Sequence, residues 1–152
     1  KRSGDTLTFW KGERVQVHEV PGHDRGQLAL APQSLRWFLA GDLIQSFGTI
    51  LIAEPEGDMA AYFQTLERII DLAPAVVIPS HGMPMRGIHS LQETLAHRRE
   101  REGAILTLAR EGKTVEETLK IIYHDVDPRL HPYALKTLQA HLMKLRNEGR
   151  LN

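Results

Sequence analysis

Cysteine is missing altogether from the 152 residues. Disulfide frameworks, thiolate nucleophiles and cysteine-ligated zinc are therefore excluded, and a reducing cytoplasm is the expected setting. No apolar run reaches the roughly 20 residues that a membrane-spanning helix needs, so no membrane partner is expected. Net charge is absent too: 19 basic residues balance 19 acidic ones, which argues against a nucleic-acid field over the whole molecule. The balance is not local. Basic and acidic residues number 8 and 11 up to residue 97, then 11 and 8 from residue 98, so the front carries −3 and the tail +3. A shift of that size is common among ordinary solvated faces. An initiator Met and a signal-peptide apolar segment are also lacking at Lys-Arg-Ser-Gly-Asp, and the chain reads as starting part-way into a longer protein.

What is present suits a folded molecule. Hydrophobic residues make up 41%, enough for a packed core in one ordinary domain or two small ones. Residues 14–20 alternate apolar with polar, the period of a half-buried strand, until Pro21-Gly22 breaks them. Residues 27–31 and 35–40 read as two short strands joined at Pro32-Gln33-Ser34, the second ending at Gly41-Asp42. From Asp58, a plausible N-cap, the period lengthens. Met59, Tyr62, Phe63, Leu66, Ile69 and Ile70 form one helical stripe, stopped by Pro74. Residues 75–78 then make a short buried strand ending at Ser80-His81-Gly82. Strand, helix and strand in that order predict layered α/β architecture.

From His89 the pattern is helical. Ser90–Glu93 and Thr114–Glu117 both fit a capping box. The first would open a long helix to about Arg110, closed by Gly112. The second would start a helix burying Val115, Leu119 and Ile122. A loop with two prolines covers 125–132, and a last helix carries Leu135, Leu138, Leu142 and Leu145. With a stub of strand at Arg150-Leu151, this is the order of a winged-helix module. The domain boundary is placed inside the long helix, giving 1–97 and 98–152.

Three turns could carry chemistry together: Pro21-Gly22-His23, Gly41-Asp42 and Ser80-His81-Gly82. Each sets an imidazole or a carboxylate just past a strand end, with a Gly beside it that lets the backbone bend around an ion. Imidazole suits zinc or iron, and a carboxylate can bridge two ions. Each turn also has a plainer reading, as a simple turn or as a histidine holding a backbone carbonyl. The remaining histidines read as structural or solvated: His18 on a strand, His89 near a helix start, His97 and His141 on solvated helix faces, His124 and His131 fixing the proline loop. Trp10, Trp37 and Tyr62 read as core or interface aromatics. Arg98, Arg99 and Arg101 alternate with Glu100 and Glu102 as a surface pair network.

The segments 17–23 (Val-His-Glu-Val-Pro-Gly-His), 38–42 (Phe-Leu-Ala-Gly-Asp) and 78–82 (Ile-Pro-Ser-His-Gly) resemble the third, fourth and fifth metal motifs of the metallo-β-lactamase superfamily. Within it the chain is similar to the glyoxalase II-like and LACTB-like hydrolases, through residues 55–67 and a winged-helix appendage around 121–132. The resemblance implies the second half of an αββα sandwich followed by a helical winged-helix-like domain. It implies that His23 is the third histidine on a first metal, that Asp42 bridges two metals and is catalytic, and that His81 binds the second. Two divalent ions, zinc by expectation, would then supply a metal-bound hydroxide at neutral pH for an ester, thioester or phosphodiester substrate.

The departures matter as much. The superfamily's His-x-His-x-Asp-His motif is absent, and no His-x-His occurs anywhere. Val20 stands for a usual Thr, Gln27 for a common histidine and Ser80 for a frequent Gly. The chain is thus expected to hold at most three of the ligands. It should be inactive alone and expose an apolar sheet face that an N-terminal half or a complementary chain would cover. Two other functions compete. One is a nucleic-acid-binding module using Lys136, His141, Lys144 and Arg146 on the last helix. The other is an assembly element. Fold analogy leaves the small-molecule substrate open.

Overall fold

The computed structural model describes residues 2–152, without the side chains of residues 8–10. The reading of Trp10 as a core aromatic lies outside the described residues. Six strands form one sheet in sequence order: β1 (Thr6–Trp10), β2 (Glu13–Glu19), β3 (Leu28–Pro32), β4 (Phe38–Gly41), β5 (Val76–Pro79) and β6 (Met85–Arg86). All neighbours are antiparallel except β4 and β5. A parallel pair needs a crossover, and residues 42–75 supply it with helix α1 (Met59–Leu72). The strands β1 and β6 were not foreseen; the second is two residues long.

The helix α1 forms where the 3.6-residue stripe begins. Asp58 accepts a hydrogen bond from the Ala61 amide at 2.9 Å, as an N-cap should. It stops where Ala73 turns left-handed (φ 51°) ahead of Pro74. The stripe packs Met59, Tyr62, Leu66 and Ile69 onto Ala29, Ala31, Phe38, Ala40 and Val77 of the sheet. Each fully buried large side chain here contributes about 1.5–3 kcal/mol. The period-two pleat sends the alternate residues to the opposite face. Register places Leu30 opposite Leu39, and Leu39 opposite Ile78. On that face Leu28 and Leu39 are each 41% exposed, whereas Val15 and Val17, paired with Pro32 and Leu30, are buried.

Helix α2 (His89–Arg110) joins two cores. Leu91 and Leu95 belong to the sheet core, whereas Ile105 and Leu106 belong to a second core. That core is completed by α3 (Val115–Ile122) and α4 (His131–Asn147). The Thr114–Glu117 capping box is formed, with reciprocal bonds of 2.8 and 3.1 Å. The one expected at Ser90–Glu93 is not: α2 starts at His89, Ile88 provides no side-chain cap, and Ser90 already lies in the first turn. Within the expected loop, Pro128–Leu130 make a short 3-10 turn. Instead of a strand stub, Arg150 and Leu151 fold back so that both amides reach the Leu145 carbonyl. Val115, Leu119 and Ile122 pack at the edge of the second core, partly buried.

The largest correction concerns charge. Arg98 and Glu102, expected on a solvated face, are 2% and 4% exposed, and His141 is fully buried. The cause is helix geometry. Positions 91, 95, 98, 102 and 105 follow a 4-3-4-3 spacing, so both charged residues sit on the stripe that faces α1, α3 and α4. Glu102 accepts from Lys144 Nζ at 2.7 Å, Arg150 at 3.1 Å and His141 Nδ1 at 3.1 Å. Burial alone would raise the Glu102 pKa, but the hydrogen bonds from His141 and Lys144 outweigh it and hold the pKa lowered. Burial also lowers His141, with Glu102 opposing. Among the described residues no helix is long and apolar enough to cross a membrane.

Candidate metal centre

The turn carrying His23 is clamped by α1. Gly22 (φ 147°) runs so close to the helix that a Cβ would lie 2.6 Å from Tyr62 Cα, leaving room for no other residue. The Asp58 amide donates to the Gly22 carbonyl at 2.8 Å, Thr65 Oγ1 donates to the Pro21 carbonyl at 2.7 Å, and Arg68 donates to the Glu19 carbonyl. The His23 ring is then oriented by its own bond, Nδ1 to the Leu51 carbonyl at 2.7 Å. A carbonyl only accepts, so Nδ1 carries a proton, and in the neutral ring the lone pair is then on Nε2. That tautomer is the one in which a ligating histidine is normally held.

The other two turns are brought together by the parallel β4–β5 pairing. The Ser80 amide donates to the Gly41 carbonyl at 3.0 Å. Gly41 (φ 61°) lies beneath the Gln27 amide, whose Nε2 donates to the Ala40 carbonyl at 3.1 Å. Gly82 (φ 97°) lies against Ser46, where a Cβ would fall 1.9 Å from the hydroxyl, and the Met83 amide donates to that hydroxyl at 2.9 Å. Ser46 thus clasps the segment after Asp42 to the segment after His81. The result is a separation of 3.6 Å between Asp42 Oδ1 and His81 Nε2, with the two side chains 39% and 70% exposed.

Two donors on one tetrahedral ion, each bonded at about 2.0–2.2 Å, lie roughly 3.3–3.6 Å apart. The Asp42–His81 pair has that spacing, and its donor chemistry suits zinc or iron. His23 does not join it: among the described residues no group of three or more His, Cys, Asp or Glu side chains converges enough to hold a metal. The residues present therefore fit part of a metal centre. Each of the three expected ligands is exposed or half-buried.

The remaining histidines divide clearly. His124 Nδ1 and His131 Nε2 each reach a backbone carbonyl at 3.1 Å, to Ile121 and Val126, and fix the segment before α4. His18 tilts over Phe38 at 5.5 Å, with its pKa lowered by burial and then by Arg68. His89 pairs with Glu93 at 3.2 Å on the surface. Tyr62 is core, as expected, donating to the Leu43 carbonyl at 2.9 Å, and burial pushes its pKa up to about 12. Of the four residues considered for nucleic acid, His141 and Lys144 point inward and are buried, leaving only Lys136 and Arg146 exposed. Sequence reading missed Leu51, which acts through its backbone and leaves no side-chain signal. It also missed Ser46, a residue type too common in loops to stand out.

Comparison with known proteins identifies the family. Residues 1–81 match the model of the metallo-beta-lactamase superfamily, and residues 114–152 match the beta-lactamase associated winged helix domain. The chain is 30% identical over 146 residues to the beta-lactamase-like protein 2 homolog of Drosophila melanogaster, covering 93% of this chain and 48% of that protein. It is 33% identical over 97 residues to the "Probable metallo-hydrolase YqjP" of Bacillus subtilis (strain 168), covering 59% of this chain and 29% of that one. In three dimensions it resembles a metallo-beta-lactamase family protein from Thermus thermophilus. There the TM-score is 0.80 at 26% identity, over 98% of this chain and 49% of the other. The chain spans half or less of the length of these relatives.

Proposed function

Because the chain belongs to the metallo-β-lactamase superfamily of metal-dependent hydrolases and carries its associated winged helix domain, we propose that it supplies three ligands, His23, Asp42 and His81, to a dinuclear hydrolytic centre. The remaining ligands come from a preceding half of the same protein, or from a complementary chain, bearing the His-x-His-x-Asp-His motif that this sequence lacks. The observation that carries the reading is the 3.6 Å Asp42–His81 spacing, joined to a His23 ring whose Nε2 is left free by its bond to Leu51.

When bound, a pair of divalent ions supplies Lewis acidity and brings the pKa of a shared water near 7. The chain's own work is positional. Leu51 fixes the His23 tautomer, Ser46 holds the two loops of the Asp42–His81 pair, and α1 clamps the Pro-Gly-His turn against drift. The substrate class under this reading is an ester, thioester or phosphodiester, and the metal is zinc. The apolar face bearing Leu28 and Leu39 is the seat of the missing half of the sandwich.

Metal analysis of the full-length protein tests the reading. About two zinc equivalents per chain are expected, falling on Asp42→Ala. A folded full-length protein that copurifies with no metal and takes up none on dialysis against zinc would overturn it.

A further inference from the structure

One cleft differs from the other main ones in its charge. Its volume is about 440 Å³, and it lies between the 45–51 segment, the middle of α2 and the start of α4. The others mix cations or amides with Glu or Asp. This one is lined by Arg98 and Arg101 with no acidic residue among its described lining. The volume falls in the range of small-molecule sites, about 300–1,000 Å³.

The two arginines are three residues apart on one face of α2 and therefore neighbours. Arg98 is 2% exposed, its guanidinium donates to the Ile50 carbonyl, and it lies 5.6 Å from the centre of the Tyr62 ring. Its Nε is buried and without a partner among the described residues, and Tyr123 beside it is 3% exposed, with Arg101 as the one described group near its hydroxyl that offers it a hydrogen bond. The Arg101 guanidinium lies over the Tyr123 ring at 4.5 Å. Burial lowers the Arg98 pKa; Tyr62 and Tyr123 oppose, and Arg101 adds to the lowering. A guanidinium this buried normally has a carboxylate partner, because removing a charge from water is expensive when nothing compensates it. Here the compensating anion is missing from the wall. Beside the cations stand Leu130 and Tyr133, 52% and 55% exposed, an apolar and a planar surface at the same mouth.

We propose that this cleft binds a small organic anion, a phosphate or carboxylate carried on an apolar or planar body, with Arg101 meeting the charge and Leu130 and Tyr133 meeting the body. Arg98, too enclosed for direct contact along most of its length, supplies field from behind. The same loop links the cleft to the candidate metal centre: Leu51 lines it and holds His23, and Gln45 lines it three residues after Asp42. An anion seated here would rest on the same 45–51 segment whose Leu51 carbonyl orients His23, which makes the cleft a selector of substrates. That last step rests on the reading of His23, Asp42 and His81 as ligands, whereas binding in the cleft does not.

The experiment is calorimetric titration of the full-length protein, both metal-stripped and zinc-loaded, with phenyl phosphate, inorganic phosphate and phenol at fixed ionic strength. Phenyl phosphate is expected to bind both forms, and more weakly as salt rises. Phenol should bind at least about tenfold more weakly, having lost the charge-assisted bonds. Arg101→Gln should weaken phenyl phosphate about tenfold in the stripped protein, and Arg101→Lys should restore most of it. Tyr133→Ala should weaken phenyl phosphate more than inorganic phosphate. Loss of phenyl phosphate binding on stripping would place the anion on the metals and overturn the proposal. So would stripped-protein binding indifferent to Arg101→Gln, or no binding in either form. Metal content measured on the same samples judges the other reading separately: a protein that takes up no zinc yet binds phenyl phosphate through Arg101 keeps the cleft and loses the hydrolase.

Discussion

Glu102 and Asp42 are both carboxylates with a histidine close by, yet their surroundings are opposite. Glu102 is 4% exposed and receives His141, Lys144 and Arg150 at 2.7–3.1 Å. Asp42 is 39% exposed on its side chain and stands 3.6 Å from a His81 that is itself 70% exposed. The first group is closed, its charges compensated from within the chain, and it joins α2 to α4 where the two cores meet. The second is open and holds its donors at ligand spacing. Clustered titratable residues therefore mark two different things here, and burial with mutual pairing tells a joint from a site.

The largest effect is expected at the joint. Glu102→Ala leaves His141 buried without its carboxylate and Lys144 with only the partly exposed Glu148 at 2.9 Å, and breaking such a group costs up to about 3–5 kcal/mol. Urea unfolding of the full-length protein should show that loss, while metal content in the folded fraction stays unchanged. Asp42→Ala is expected to do the reverse. Stability should move by less than about 0.5 kcal/mol, as for other exposed positions. Zinc affinity should fall by at least about 100-fold, beyond the range set by outer-shell partners. Matched stability losses for the two variants would erase the distinction between them.

A pH series sharpens the same comparison. Both His141 and Glu102 have folded pKa values below their ordinary ones. For each, the unfolded chain binds protons more readily, so stability is full above the unfolded pKa and declines as pH falls through the folded one. His141 begins to contribute below about pH 6.5 and Glu102 below about pH 4.5. His18 and His97 are lowered as well, so the joint's share is read by difference. The decline in urea midpoint from pH 7 to pH 5 should be shallower in His141→Gln than in the parent, and an identical slope would remove His141 from the account.

Much of this architecture was legible in the residues. Period-two alternation located β2, short runs between turn residues located β3 to β5, and the 3.6-residue stripe located α1. The glycines beside His23, Asp42 and His81 pointed to tight turns, and all three are at positive φ. Other features were hidden for physical reasons. The Asp42–His81 approach depends on the register of a parallel pair separated by the whole 42–75 crossover, for which no local pattern codes. The capping box at Ser90–Glu93 had the right letters, but the chain already turns helical at His89. Arg98, Glu102 and His141 were misplaced on the surface because residue type was weighed above spacing, although 91, 95, 98, 102 and 105 trace a continuous buried stripe.

The smallest effect is expected one residue along the same helix. Arg99 follows Arg98 and pairs with Glu67 of α1, but at side-chain exposures of 57% and 46%. Water solvates both partners, and fixing two long side chains loses entropy, so such pairs contribute about 0.2–1 kcal/mol. A double-mutant cycle over Arg99→Ala and Glu67→Ala should return a coupling in that range, shrinking further in 1 M salt, where the Debye length is about 3 Å. Salt should affect the Glu102 cluster less, since Glu102, His141 and Lys144 are each buried. A coupling of several kcal/mol at Arg99–Glu67, insensitive to salt, would mean that exposure does not separate the working charges of α2 from its solvated ones.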